Sequence, residues 1–500
     1  MAATDTSVSQ ARMATVALPQ PDAATMRLPW PLVIYLAAVI IPAQFHIGSL
    51  LLTLPRLVLM VGVIPLTIRL FRGQYGRILP TDILFFLYTL WLPIVLLVNN
   101  PDKVIQNAGS TGVEFLGGYL FTRAYIRSAA DFIALCRALT FITCAFLPFA
   151  VYETITNQPI ILDLIRKIPG LTSDFSVHYP RRLGFARVQA VFPHPILFGV
   201  FCSIAFSLCL IALRDVLSNT KRYLLTSAIV VCTFLSLSSG AVLAIALQLF
   251  LLGWALLLSE FRQRWMILIG LFVAIYVGID LLSNRTPIRV FMTYATFSSQ
   301  TAYYRGIIND FGMQNVWANP IFGLGLRDWV RPSYMASPSM DNYWLYVASH
   351  MGIPGFILLA SGYGTAMIRI GVRNFDRAPQ LFRLRRAWIF TFVGMTLSLV
   401  TVDIWATVYS YVYFVFGAGM WMQTAQPGAV PLAAAPPAAH SGRQPFPRLR
   451  RSAADPAPIP PRIADTANRA HSARTPHKLT GAGRDGPRLT RFPPPGDRNS

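Results

Sequence analysis

The sequence predicts an all-α integral membrane protein of about twelve transmembrane helices, with ten to twelve as the range, and two long loops on one outer face. Three observations carry this. Hydrophobic residues make up 54% of the 500 and charged residues only 13%, where a soluble domain has about 25% charged. Mean hydropathy is +0.49. Apolar runs of the roughly 20 residues needed to cross about 30 Å of hydrocarbon recur along most of the chain.

Windowed hydropathy places the spans at 31–47, 51–70, 81–99, 104–122, 132–152, 194–213, 223–238, 240–258, 265–282, 352–370, 387–402 and 404–422. The last two share a tight turn at Asp403. Residues 1–29 are polar, with no short apolar core before a small-residue cleavage site, and read as a cytoplasmic tail. With that end inside, the inner connections carry Arg69, Arg72, Arg77, Arg123, Arg127, Arg214, Lys221, Arg222, Arg262, Arg264 and the arginines of 369–386. The short outer connections hold little beyond Arg56 and Lys103, as the positive-inside rule expects.

The net charge of +22 is distributed along these inner connections and a tail at 423–500, where twelve Lys/Arg face four Asp/Glu. That tail, rich in Pro, Ala and Arg, cannot bury enough surface to offset its chain entropy and is expected to be disordered and cytoplasmic. Its partner would be anionic lipid; nucleic acid is not expected. All five cysteines lie inside apolar segments without metal-ligand spacing, and read as small packing residues.

Two loops remain outside, 153–193 and 283–351. Arginines placed there need a reason, and a diphosphate supplies one, since guanidinium forks match phosphate oxygens bidentately. In the first loop Arg181, Arg182 and Arg187 lead into His194, which could donate to a phosphate or shuttle a proton. In the second, Arg305 rides a helical segment whose apolar stripe is Tyr304, Ile307, Ile308 and Phe311; Arg305 falls on a different face, in a column with Gly312. Arg327 and Arg331 follow. Gly323-Leu-Gly325 lacks the third glycine and preceding strand of a dinucleotide fingerprint and reads as a turn. Asp341 is a candidate general base, or with Asn342 a helix N-cap. Glu114, a carboxylate at membrane depth, is a site candidate or the buried partner of an arginine such as Arg56.

The order Arg305, Trp317, Pro320, Phe322-Gly323-Leu324-Gly325, Asp341-Asn342-Tyr343 and Gly352-Ile353-Pro354-Gly355 resembles the signature region of the O-antigen ligase and polysaccharide polymerase superfamily. Arg182-Leu183-Gly184 through Pro193 and Leu237-Ser238-Ser239-Gly240 resemble its earlier segments. The likeness covers roughly residues 30–422. Where many ligases have His-Asn, this chain has Asp341-Asn342, and the serine turn lacks the family's frequent arginine. The resemblance implies a multi-pass inner-membrane glycosyltransferase with both termini cytoplasmic and both long loops periplasmic. Such an enzyme polymerises or transfers glycan repeats from an undecaprenyl-diphosphate carrier, with inversion at the anomeric carbon. Arg305 and Arg182 would take the leaving diphosphate, Asp341 the acceptor proton, and Asn342 would orient the acceptor. Arg181, Arg187, His194, Arg327, Arg331 and Glu114 would complete the substrate contacts, with no cofactor and no metal. The partners would be the lipid-linked glycan, the growing polysaccharide acceptor, the bilayer, and chain-length regulators or export proteins. A ligase moving finished polymer to lipid A-core is the first alternative. A transporter of lipid-linked glycan or solute is another, but it would be expected to show internal repeats, and none is visible.

Overall fold

The computed structural model describes residues 27–47, 50–169, 179–284, 286–294, 299–335 and 337–426. Apart from residues 27–29 and 423–426, both predicted tails lie outside the described residues.

The chain opens with α1 (Trp30–Ile40) and a hairpin of β1 (Gln44–Ile47) and β2 (Leu50–Thr53). The segment predicted as a first span, 31–47, is therefore only 11 helical residues long, and at 1.5 Å per residue rises about half the hydrocarbon thickness. Its apolar composition reflects packing, since Leu32, Tyr35 and Leu36 are buried. Next come α2 (Leu54–Phe71) and α3 (Pro80–Asn99). The predicted fourth span is α4 (Val104–Gly112) and α5 (Gly118–Tyr125), joined by one π-helical stretch, Val113–Gly117. After it stand α6 (Ala129–Ala145), α7 (Leu147–Thr156) and α8 (Ile160–Arg166), then α9 (Pro195–Leu210), which Pro195 opens at the first helical position. All but two residues of α9 are buried. It is apolar all round because it is the inner post of the bundle.

The second half holds α10 (Asn219–Leu235), α11 (Ser239–Leu257), α12 (Arg264–Leu282), α13 (Pro287–Tyr294), α14 (Ser299–Ala318), α15 (Tyr343–Gly371), α16 (Pro379–Ser398) and α17 (Ala406–Gly417). The main packing pairs are α3 with α15, α9 with α10, α11 with α16, and α5 with α17. Among the described residues, six stretches are long and apolar enough to cross a membrane by themselves: Leu54–Phe71, Pro80–Asn99, Ala129–Thr156, Ser239–Leu257, Arg264–Leu282 and Tyr343–Gly371. The protein is thus a helical, multi-pass membrane protein.

The predicted loop 283–351 is largely structured. It contains α13 and α14 and its own small core of Ile308, Val316, Leu324, Trp329, Met335, Met340 and Leu345. The helix predicted to start at 352 begins nine residues earlier, at Tyr343, and breaks at Gly352 (φ 71°, ψ 176°). The break leaves the carbonyls of Ser349 and His350 free to accept from Leu324 and Gly325, both at 2.9 Å, while Ile353 donates to Pro320 at 2.8 Å. A Cβ on Gly352 would sit 2.0 Å from the Ile321 carbonyl oxygen. The Gly323–Gly325 turn therefore pairs the extramembrane loop to a broken helix, which fixes the loop's height above the bundle.

Candidate active site

The first loop reaches its place through backbone pairing. Arg182 and Phe185 exchange N–H···O bonds of 3.1 and 2.9 Å around a tight turn at Leu183 and Gly184. The strand-like run Ala186–Phe192 is buried against the bundle, with Val188 donating to Leu235 at 3.1 Å. Glu153 at the end of α7 accepts from Gln189 (2.8 Å) and Ala190 (3.0 Å). So held, Arg182 donates from Nη1 to the Leu237 carbonyl at 2.9 Å. Leu237 is itself in left-handed backbone space at φ 47°, which a branched residue adopts only where its surroundings force it.

The second loop arrives at the same turn. Arg305 donates from Nη2 to Ser239 Oγ at 3.4 Å. The buried face of α14 is Arg305, Ile308, Gly312, Asn315 and Val316, and Tyr304 of the predicted stripe is exposed. Arg305 is thus on the inward face, contrary to the sequence reading. Gly312 on the same face makes room for α15: a Cβ there would be 2.6 Å from Leu345. Asn315 locks the helix to its loop, donating to the Val330 carbonyl (2.8 Å) and accepting from the Val330 N–H (2.9 Å).

A third element joins the cluster. Asn342 caps α15 by accepting from Leu345 N–H at 3.1 Å, and Tyr343 N–H donates to Leu399 (2.9 Å) and Val402 (3.1 Å) in the turn between α16 and α17. That turn brings Asp403 beside Asp341. The sequence reading passed over Asp403 as an ordinary turn residue. Part of its surface is open, yet burial of the carboxyl pushes its pKa up to about 8, and the charge of Asp341 adds to this, against a 2.8 Å bond from Ile404 N–H.

Electrostatically this is a cationic cluster. Arg305 is 5% exposed and Arg187 9% exposed; Nε and Nη1 of Arg305, and Nε and Nη2 of Arg187, have no partner among the described residues. Burial lowers both guanidinium pKa values to about 10, and the Arg182 charge acts in the same direction on each. Asp341 is the carboxylate whose charge all three arginines feel. Unpaired buried donors cost free energy unless a ligand accepts from them. The 19-residue α11 begins at Ser239, the residue that accepts from Arg305, so the positive end of its dipole adds to the charge there. Three guanidiniums and a helix N-terminus gather positive charge beside two carboxylates, an arrangement with the chemistry to bind an anion.

Comparison with protein families gives a match to the O-antigen ligase family over residues 223–360. That segment is similar to an O-antigen ligase domain. A search of curated proteins returns no match for the chain. The matched segment contributes Ser239, Arg305, Asp341 and Asn342; Arg182, Arg187, His194 and Asp403 come from the flanking sequence.

The other predicted site residues separate into two groups. His194 belongs with the cluster: its ring lies 4.6 Å from Tyr179 and 5.5 Å from Trp405, and Arg187 stacks over Tyr179 at 5.5 Å. Its Nδ1 accepts from Ile196 N–H at 3.0 Å, leaving Nε2 as the protonated nitrogen. Burial, then the Arg187 and Arg182 charges, depress its pKa to about 3. It is therefore a neutral donor and not a proton shuttle near neutral pH. Arg181 is exposed. Arg327 is spent on Asn99 (2.6 Å) and the Leu324 carbonyl (3.3 Å), and Arg331 on Asp328 (2.6 Å) and the Met335 carbonyl (2.9 Å); both hold the second loop together. Glu114 is paired with Arg56 at 2.8 Å, the structural alternative of the sequence reading.

Proposed function

We propose that this protein is a glycosyltransferase that moves glycan from a polyprenyl (undecaprenyl) diphosphate carrier to an acceptor hydroxyl at the periplasmic membrane surface. The supporting observation is the meeting of Arg182 and Arg305, from two loops far apart in sequence, on one serine turn, with Arg187 near enough to feel the Arg182 charge and guanidinium donors of Arg187 and Arg305 unpaired among the described residues. In the reaction the acceptor oxygen attacks the anomeric carbon from the face opposite the diphosphate. The carbon–oxygen bond to the diphosphate breaks with inversion, and the charge that develops on the leaving group falls on the three guanidiniums. The acceptor proton passes to a carboxylate, for which Asp403 and Asp341 are the two in place. Asp403 is the better matched, because a base works best with a pKa near the working pH. His194 Nε2–H and Asn342 orient the substrates.

In this reading ten to twelve segments cross the inner membrane, some of them through helices too short to cross alone. Both long loops and the α16–α17 turn lie on the periplasmic side, and both termini in the cytoplasm. The polymer-forming version has a growing polysaccharide as acceptor, with chain-length regulators or export proteins as neighbours. The second version is a ligase moving finished polymer to lipid A-core. A deletion strain separates them: without a polymerase, single repeat units or no polymer are found, whereas without a ligase full-length polymer stays on its carrier. In either strain, complementation with Arg305→Ala is expected to leave the surface without polymer at unchanged protein level, a loss of about 10² to 10³ in rate. Normal polymer from that variant refutes the assignment.

A further inference from the structure

The far end of the bundle carries a second cationic assembly that the reaction does not use. Beyond its break at Gly352, α15 runs on to Gly371, a continuous stretch of about 28 Å, close to the thickness of the hydrocarbon core, so its last turn and Arg373 lie across the membrane from the active site. There, Arg373 stacks over Phe375 at 5.5 Å, Arg385 over Phe375 at 5.8 Å and over Phe382 at 5.0 Å, and Arg386 over Phe382 at 4.5 Å. Arg264, at the start of α12, and Arg385 lie close enough that their charges oppose that of Arg386. None of these four arginines forms an ion pair with a described carboxylate, whereas neighbouring Arg383 pairs with Asp215 through Nε at 3.0 Å. Their protein hydrogen bonds go to main-chain carbonyls: Arg264 to Ser259, Arg373 to Ala425, Arg385 to Gly371 and Arg373. Nε of Arg264 and of Arg373 are buried and unpartnered, and Arg386 has no hydrogen bond to a described residue. Asp376, exposed beside Arg385, is the carboxylate whose charge reaches the group.

The same place is where α12 joins the molecule. No residue of α12 is buried; its first turn meets the bundle through Trp265, 5.7 Å from Phe390, and through Leu268. Beyond that turn Ile269, Phe272 and Val273 face outward. A ligand here must therefore be anionic at the level of the arginines and apolar along α12 and α16.

We infer that Arg264, Arg373, Arg385 and Arg386 form a binding site for the phosphate headgroup of an anionic phospholipid, whose acyl chains fill the seam between α12 and α16. Aromatic faces stiffen the guanidiniums, and phosphate accepts from several at once. Basic pockets between membrane helices are suited to such headgroups.

The test is lipid retention by the full-length protein, extracted in mild detergent from phosphatidylcholine vesicles with or without phosphatidylglycerol and read by native mass spectrometry. Wild type is expected to keep phosphatidylglycerol in preference to phosphatidylcholine. Arg264→Gln with Arg386→Gln is expected to weaken retention about fivefold per arginine, about thirtyfold together. Arg262→Gln with Arg377→Gln, exposed arginines of the same face, should change it less than twofold. The charge-keeping Arg264→Lys with Arg386→Lys should hold lipid far better than the glutamine pair, which separates loss of charge from misfolding. Equal retention of the two lipids, retention unchanged by the glutamine pair, or displacement of the lipid by free inorganic phosphate alone would each overturn the site.

Discussion

Asp403, beside Asp341, and His194, beside Arg187 and Arg182, are pushed in opposite directions, each toward its neutral form. Burial moves the Asp403 carboxyl up to about 8 and the His194 imidazole down to about 3. If Asp403 is the base, it works only when ionised, so transfer is expected to rise with pH through about 8. In Asp403→Asn that limb should vanish with most of the activity; a variant that keeps the wild-type profile would exclude Asp403. The same shift acts on stability. The unfolded carboxyl titrates near about 4, so the stabilisation from a protonated Asp403 is complete below that pH and is lost as pH rises through about 8. Thermal melts of Asp403→Asn should therefore show no loss of stability at pH 8, together with the loss of activity. At this scale the sequence was a partial guide. Arg182, Arg305 and Asp341 were legible because charged residues outside a membrane need partners. Asp403 was not, because one carboxylate between two apolar runs looks like a turn until the elements around it are placed. Arg327 and Arg331 looked equivalent to Arg305, and only the carbonyls and amides they bind distinguish them.

Among the elements, the broken helix α15 and the pair Arg56–Glu114 make the sharpest predictions. Gly352→Ala demands a positive φ from an L side chain and drives Cβ into the Ile321 carbonyl, a cost of at least about 1–3 kcal/mol. Gly364→Ala in the same helix meets nothing within 4 Å and should be neutral or stabilising. Thermal midpoints in one detergent give the comparison, and equal midpoints would mean the break is not needed. Glu114→Gln leaves a mostly buried Arg56 guanidinium without its counter-ion, a loss of about 3–5 kcal/mol. Arg56→Gln with Glu114→Gln should recover part of it, without the specific loss of transfer seen at Arg305. Full stability with lost activity would instead return Glu114 to the site. Helices were legible as long apolar runs with proline at their starts, as in α3 and α9. The hairpin after α1, the early start of α15 and the packing of Gly312 on Leu345 were not, because hydropathy does not distinguish a residue facing lipid from one facing another helix.

Taken as one molecule, the bundle brings 182–187, 237–239, 305, 341–342 and 403 into one neighbourhood. No local pattern encodes such a meeting. It depends on the loop 179–194 pairing with α10, on α14 packing across α15, and on the α16–α17 turn accepting from Tyr343. The resemblance covering residues 223–360 reaches only the middle of this set, and the flanking residues join it through the fold. The most direct measurement is transfer by purified protein in liposomes carrying the lipid-diphosphate glycan and an acceptor, with Arg305→Ala, Arg182→Ala and Arg187→Ala assayed beside wild type. Wild type should lengthen or transfer the glycan with release of carrier diphosphate, and each variant should fold normally and lose about 10² or more in rate. Movement of intact lipid-linked glycan across the bilayer with no new glycosidic bond, or wild-type rates in all three variants, would contradict the account.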